Sequence, residues 1–292
     1  MIKTLKLGTR GSALARAQSQ WVAEQISAAS GFPVQLEIIE TKGDRIQDRP
    51  LKQVGGKGLF TKEVEDALLS GSVDFAVHSM KDMPTEMPDG LVFGCIPVRE
   101  DPRDVLVGAH SKALTGGTIV GTGSARREAL LNDMYRGLDI RGIRGNVDTR
   151  VAKQRAGQYD VVVLAAAGLK RLGRGDDIDV FLPPTEMVPA VGQGALAVQC
   201  REDDIQMLEV LAQVHCSQSA LCVGVERAFL TEMGGGCSVP VACHVTLDSG
   251  CLDIRAAFLT PSGALLRAHH NVPVREGEVW AKRIAREFQQ SA

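Results

Sequence analysis

The feature that most constrains the fold is a structural pattern that occurs twice. A short alternating strand at 5–7 is followed by the turn GTRGS and a predicted helix over 13–28. The same order recurs as a strand at 118–120, the turn GTGS and a helix that begins at Ala125. A strand, a tight turn and a helix form the repeating unit of a sheet covered by helices. The sequence therefore predicts two lobes with related α/β plans.

A second pair of segments supports this duplication. A predicted helix at 64–69, the turn GSVD and a buried strand at 75–80 match a helix at 151–156, the turn GQYD and a buried strand at 161–166. Continuous apolar strands of this kind are typical of sheets that are covered on both faces. Each lobe is therefore predicted to contain a mostly parallel sheet.

The last quarter of the chain follows a different pattern. A predicted helix at 220–233 precedes three short alternating strands, at 241–247, 252–259 and 264–269, and a final helix at 276–289. This order predicts a small α+β domain at the C-terminus.

Composition excludes several classes of function. The net charge is -2 and aromatic residues make up 4%, so neither a basic field nor a stacking platform for nucleic acid is expected. No apolar run has the roughly 18 residues of a membrane span, and the N-terminus lacks a signal-peptide pattern, which indicates a cytoplasmic protein. The seven cysteines include no Cys-x-x-Cys pair, so neither a disulfide framework nor a metal site is expected.

The two glycine turns suggest anion binding. Ser12 and Ser124 each precede a helix, where free N–H groups and the helix dipole favour a negative charge. Arg10 lies in the first turn, and Arg126 and Arg127 begin the second helix. The alternative is that each serine is an ordinary helix cap and that the arginines are solvated.

Further arginines follow in the second lobe. The segment 139–150 holds three arginines and two glycines, and another arginine follows the buried strand at 161–166. The carboxyl ends of parallel strands are where α/β sheets bind ligands, so these cations are expected to converge on a ligand with several carboxylates or phosphates. The candidate set is Arg10, Arg126, Arg127, Arg144, Arg150 and Arg171.

Acid–base chemistry is suggested by Lys81 and Asp82, which follow the buried strand at 75–80. A carboxylate between a cation and an anionic substrate is suited to moving protons. Two alternatives remain: a surface ion pair before a proline, and Lys81 as the amine of a Schiff-base enzyme.

One cysteine has unusual neighbours. In the stretch EMGGGCSVP at 232–240, Cys237 follows three glycines, which give it no side chains to pack against. Glycines suit a loop that approaches a bulky group closely. The alternative is an inert cysteine at a turn.

Taken together, these stretches resemble the porphobilinogen deaminase (hydroxymethylbilane synthase) family. The matching segments run in the family's order along almost the whole chain: GTRGSALA at 8–15, KGLF at 57–60, HSMKDMP at 78–84, GTGSARR at 121–127, RGNVDTR at 144–150, AAAGL at 165–169, VGQGAL at 191–196 and GGC at 235–237. One departure is Ser238, where glutamine is common in the family.

The resemblance implies a fold, an activity and a cofactor. The fold has two lobes like type II periplasmic binding proteins, with lobe one formed by 1–98 and 193–214, lobe two by 99–192, and a small α+β domain by 215–292. The activity is that of a transferase of tetrapyrrole (haem) biosynthesis, which joins four porphobilinogen molecules into hydroxymethylbilane and releases four ammonia. The chain would grow on a dipyrromethane cofactor bound through a thioether to Cys237.

The resemblance also implies roles for individual residues and a monomeric state. Asp82 matches the catalytic carboxylate, and Lys57 and Phe60 belong to a mobile loop over the cleft. The residues that bind cofactor or substrate would be Arg10, Ser12, Lys81, Thr122, Ser124, Arg126, Arg127, Arg144, Arg150, Arg171 and Gln193. The rival interpretation is a two-lobed binding protein, either a solute receptor or the effector domain of a regulator, but neither accounts for Cys237.

Overall fold

The computed structural model describes residues 3–45, 61–109, 114–235 and 240–292. These form two compact units, one of Met1–Arg99 with Ala195–Ala220 and the other of Glu100–Gly194 with Leu221–Ala292. The division into three domains stays a prediction. Lys57, Phe60 and Cys237 lie outside the described residues.

The elements that the sequence pattern predicted are all present, with ends that differ by a few residues. The strands are β1 Leu5–Thr9, β2 Val34–Ile38, β3 Phe75–Ser79, β4 Leu91–Cys95, β5 Asp104–Val107, β6 Ile119–Gly121, β7 Asp139–Arg141, β8 Val161–Ala165, β9 Val180–Phe181, β10 Leu196–Arg201, β11 Val241–Asp248, β12 Cys251–Leu259 and β13 Leu265–Pro273. The α-helices are α1 Ala13–Ser30, α2 Lys42–Arg45, α3 Lys62–Leu69, α4 Ala125–Met134, α5 Val147–Arg155, α6 Ala166–Arg171, α7 Ile205–Ala212, α8 Ser217–Glu232 and α9 Gly277–Gln290. Short 3-10 turns lie at Met80–Asp82, Gly175–Asp177 and Val274–Glu276.

The sheet of the first unit has the strand order β2-β1-β3-β10-β4. β1 is parallel to β2 and β3, whereas β10 is antiparallel to β3 and β4, so four of the five strands run in one direction. Helix α1 covers one face with Val22, Ala23 and Ile26, whose spacing puts them on one side of the helix. They join a core with Leu7 and Phe75, both 0% exposed.

The second unit contains a sheet of the same plan, in the order β7-β6-β8-β5-β9. Here β6 is parallel to β7 and β8, and β5 is the one strand of this sheet that runs antiparallel to its neighbours. In both sheets the reversed strand occupies the fourth position, so the duplication predicted from the two glycine turns is confirmed.

The C-terminal segment of the second unit forms an antiparallel sheet in the order β11-β12-β13. Aromatic side chains pack α8 and α9 against this sheet. The rings of Phe229 in α8 and Phe288 in α9 meet edge to face at 6.1 Å between centroids, and Phe258 of β12 stacks on Phe288 at 6.3 Å. The α+β prediction for this segment is confirmed. Of the helices in the described ranges, none combines the length and the apolar character needed to cross a membrane.

Candidate active site

The first glycine turn places a helix N-terminus at the carboxyl end of β1. The Ser12 hydroxyl accepts a hydrogen bond from the Ala15 N–H at 3.2 Å and so caps α1, as the sequence predicted. The Ser19 hydroxyl, in α1, donates to Thr9 Oγ1 at the end of β1 at 2.7 Å. The strand and the helix are thus joined across the turn, and Arg10 lies half-buried between the strand and the cap.

Asp82 is held in place by a short 3-10 turn at the end of β3. The Met80 N–H donates to the Ala195 carbonyl at 3.0 Å, and the Met83 N–H donates back to the Met80 carbonyl at 3.1 Å. Both methionines are at least 97% buried, whereas Lys81 and Asp82 between them are exposed. Buried residues at each end therefore anchor two exposed charges.

A cleft in the first unit brings three of the predicted residues together. It measures about 70 Å³, and its lining includes Arg10, Ser12 and Asp82. Gln18, His78 and Ser79 also line it, and the Gln18 amide donates to the Ser79 hydroxyl at 2.9 Å. A cation, a hydroxyl and a carboxylate in one cleft suit a ligand that carries both a carboxylate and N–H groups.

His78 is a residue that sequence reasoning did not single out. It is 7% exposed, and its Nε2 lies 3.1 Å from Gln199 Oε1 on the reversed strand β10. Burial lowers the pKa of His78 to about 4, the hydrogen bond with Gln199 opposes that change, and the charge of Arg10 adds to it. His78 is therefore neutral near pH 7. A histidine within the apolar run FAVHS was the only signal.

This lowered pKa predicts a loss of stability in mild acid. The unfolded chain takes up the His78 proton near the ordinary pKa of 6.5 and the folded chain only near about 4, so protonation favours unfolding between these values. From about pH 7 to about pH 5, the free energy of unfolding should fall by about 2 kcal/mol through this group. Urea unfolding of the parent and of His78→Gln measures this. Equal pH dependence in the two proteins would contradict the assignment.

The second glycine turn repeats the capped geometry. The Ser124 hydroxyl accepts from the Arg127 N–H at 3.4 Å, and the buried Thr122 hydroxyl accepts from the Ser124 N–H at 3.2 Å. Helix α4 thus begins with a serine cap, as α1 does.

The arginines that follow are not solvated. Arg126 and Arg127 are each 6% exposed, and both contact Asp104, which is 0% exposed. Arg126 Nη1 donates to Asp104 Oδ2 at 2.7 Å, and Arg127 Nε donates to Asp104 Oδ1 at 2.9 Å. For these two arginines the alternative of solvated side chains is therefore wrong.

Asp104 is the second residue that sequence reasoning missed. Burial by itself raises its pKa, but the attraction of Arg126 and Arg127, with their hydrogen bonds and that of Gln193, outweighs burial and lowers the pKa to about 2. Asp104 is therefore ionised at neutral pH. The signal available in the sequence was a charged run, DPRD at 101–104, that continues directly into the apolar strand β5.

Two further predicted arginines, Arg144 and Arg150, extend this group of cations, because the charges of both Arg127 and Arg144 act on Arg150. Burial, together with the charges of Arg127 and Arg144, lowers the pKa of Arg150 to about 10. Arg150 Nε donates to the Gly145 carbonyl at 2.8 Å. Gly145 has a φ of 111°, and a Cβ there would lie 2.6 Å from the Thr149 side chain, so glycine is required in this turn. The second unit therefore contains a cluster of neighbouring cations.

Arg171 and Gln193 bind other residues of the same unit. Arg171 Nη2 donates to the Gly194 carbonyl at 2.8 Å. The Gln193 amide donates to the Pro102 carbonyl at 2.6 Å and to Asp104 Oδ1 at 3.1 Å. Gln193 is thus part of the Asp104 cluster, and the ligand-binding roles of both residues stay predictions.

Comparison with known proteins identifies the family. A profile described as "Porphobilinogen deaminase, dipyromethane cofactor binding domain" matches residues 5–209, and one described as "Porphobilinogen deaminase, C-terminal domain" matches 220–290. The chain belongs to the porphobilinogen deaminase family. Relatives named porphobilinogen deaminase include that of Geobacillus kaustophilus, 47% identical over 90% of this chain and 86% of its own, and that of Bacillus subtilis, 45% identical over 91% and 87%.

Two solved binding proteins show a weak likeness to this chain. A substrate-binding protein of an ABC transporter from Coxiella burnetii has a TM-score of 0.43 and 14% identity over 76% of this chain and 96% of its own. A probable amino-acid ABC transporter binding protein from Bacillus subtilis has a TM-score of 0.43 and 12% identity over 73% and 90%. Likenesses this weak support no conclusion about function.

Both clusters of candidate residues lie in the part of the chain that matches one domain of the porphobilinogen deaminase family. The cleft with Arg10, Ser12 and Asp82 and the cations around Asp104 both lie within 5–209, the segment matched as the cofactor-binding domain of that family. In each cluster, considered by itself, the cations, the hydroxyl and the helix N-terminus are suited to binding carboxylates.

Proposed function

We propose that the chain joins four porphobilinogen molecules head to tail into hydroxymethylbilane and releases four ammonia, as a transferase of tetrapyrrole biosynthesis. The observation that carries this proposal is the cleft with Arg10, Ser12 and Asp82, which lies within the segment matched as a dipyromethane cofactor binding domain. The relatives named porphobilinogen deaminase support the same activity.

The arginines would bind the carboxylates of the pyrrole units. Each pyrrole unit carries an acetate and a propionate, so the growing chain becomes a polyanion that needs several fixed cations. The dipyrromethane, when bound, supplies a nucleophilic pyrrole carbon at which the chain starts. The residues that would hold its carboxylates, and those of the substrate, are Arg10, Ser12, Lys81, Thr122, Ser124, Arg126, Arg127, Arg144, Arg150, Arg171 and Gln193.

Asp82 is the proposed acid–base group. It is exposed and lines the cleft, so its carboxyl group is accessible to a ligand that binds there. The Asp82 carboxyl group would transfer a proton to the leaving amine, and its carboxylate would then stabilise the positive charge on the pyrrole through the pyrrole N–H. The same carboxylate would accept the proton that is lost when the new carbon–carbon bond forms.

Cys237 is the proposed attachment point, through a thioether. Four of the six cysteines in the described residues offer weaker candidates. Cys95 and Cys200 are buried, and burial raises their thiol pKa values to about 12 and about 11. Cys222 and Cys243 are 4% and 0% exposed, which leaves no room for a pyrrole at their sulfur atoms. In the sequence GGGC at 234–237 the thiol has small neighbours on one side, which suits a bulky adduct.

The stoichiometry of the reaction tests this proposal. Purified protein incubated with porphobilinogen should release four ammonia for each tetrapyrrole formed. Binding of porphobilinogen without release of ammonia would instead favour the two-lobed binding protein. A Schiff-base role for Lys81 would be revealed by borohydride trapping of a carbonyl substrate. A monomer in the cytoplasm, without nucleic acid or membrane, is part of the same proposal.

A further inference from the structure

Asp104 lies at the start of β5, the reversed strand of the second unit. Its backbone is fixed because Asp104 is the register partner of Ala165 on β8. Its carboxylate, 0% exposed, accepts from Arg126 and Arg127 and from the Gln193 amide, so both oxygens are engaged. Burial of an unpaired carboxylate would cost free energy, so the two arginines are what allow Asp104 to stay ionised in the interior.

Each guanidinium has a second fixed contact. Arg126 Nη1 also donates to the Val188 carbonyl, and Arg127 Nη1 donates to the Val163 carbonyl, both at 2.7 Å. One carboxylate and two carbonyls therefore determine where the two guanidiniums lie and how they are turned. Neither cation relies on solvent for its orientation.

The carboxylate also balances charge in a crowded cationic region. Arg127 lies close enough to Arg150 to contribute to the lowered pKa of Arg150. Burial lowers the pKa of Arg127 itself, Arg126 adds to that change, and Asp104 opposes it. Without the carboxylate, like charges would repel in a region that water screens poorly, and the guanidiniums would move apart.

We propose that Asp104 is a positioning residue that holds Arg126 and Arg127 as a fixed pair for the carboxylates of the pyrrole ligand. Asp104 would contact only the guanidinium groups, and these would contact the substrate. The proposal rests on the proposed function, because that function supplies the carboxylates.

A positioning role has a distinct kinetic signature. The acetate and propionate groups of the pyrrole ligand are remote from the bond that forms. The arginines therefore hold these carboxylates equally in the ground state and the transition state. Loss of that hold raises KM and leaves kcat nearly unchanged, whereas a merely structural role lowers the fraction of active protein without changing KM.

The test compares Asp104→Asn with Asp101→Asn in the full-length protein. Asp101 is the matched control: it is also a mostly buried carboxylate, but it binds Arg103 and Lys170 instead of the arginine pair. For Asp104→Asn, KM for porphobilinogen should rise at least about tenfold, with kcat per cofactor-loaded molecule within about threefold of the parent. Asp101→Asn should leave KM unchanged. A KM that is unchanged or lower in Asp104→Asn overturns the proposal.

A second comparison covers the case in which Asp104→Asn does not fold. The double variant Asp104→Asn/Arg126→Met removes a buried cation together with the buried anion, and Arg126→Met alone is its reference. Because Arg127 also loses its partner, KM of the double variant should be at least about threefold higher than that of the reference. Equal KM values overturn the proposal. A parent protein that releases no ammonia would refute the proposed function instead, so the two failures are distinguishable.

Discussion

Replacement of Cys237 with serine is expected to remove all pyrrole mass from the purified protein. The parent should exceed its sequence mass by two pyrrole units, because a carbon–sulfur bond to the thiolate replaces the bond to a leaving ammonia. A serine hydroxyl is a far weaker nucleophile near neutral pH, so Cys237→Ser should run at its bare sequence mass and form no product. Intact-mass spectrometry of the two proteins measures this directly.

Cys216→Ser is the stringent control for this experiment. Cys216 is half-buried, and hydrogen bonds from Ser219 lower its pKa, so its thiol ionises more readily than an ordinary cysteine. If thiol reactivity alone decided attachment, this substitution would remove the added mass. We expect Cys216→Ser to keep it. A parent that stays at its bare mass after incubation with porphobilinogen would return Cys237 to the role of an inert cysteine.

Asp82→Asn is expected to lower turnover by about 10²–10⁴-fold while the covalent pyrrole mass is retained. The amide keeps the size and one hydrogen-bond acceptor but can neither give a proton to the leaving amine nor balance the charge that forms on the pyrrole. Because Asp82 is exposed and the flanking methionines anchor the turn, the unfolding midpoint should change little. Single-turnover release of ammonia by loaded protein measures the effect.

Asp89→Asn provides the matched control for Asp82→Asn. Asp89 is exposed, as Asp82 is, and follows it by seven residues in the same unit, yet it does not line the cleft. Its substitution should leave turnover unchanged. A folded, loaded Asp82→Asn protein with near-parental turnover would remove Asp82 from the catalytic role.

The sequence by itself determined the elements and the duplication. Each strand–turn–helix unit is encoded within about 25 residues, because apolar periodicity, glycine turns and serine caps act between near neighbours. The Ser12 and Ser124 caps were therefore predictable in detail. The charged pair Lys81-Asp82 at the end of a buried strand was predictable for the same reason.

The two reversed strands could be assigned only from the structure. The segment 196–201 forms β10, but its partners β3 and β4 lie about a hundred residues earlier. Strand pairing over such distances depends on packing of the whole sheet, which the local pattern does not encode.

The tertiary structure also decided the partners of the site residues. An arginine that begins a helix has the same local sequence whether it is solvated or buried against an acid, so Arg126 and Arg127 gave no sign of Asp104. His78 likewise depends on Gln199, which lies 121 residues away. The sequence therefore identified the chemical groups of the candidate site, whereas their charge states and orientations depend on burial and on distant partners, which only the folded chain brings together.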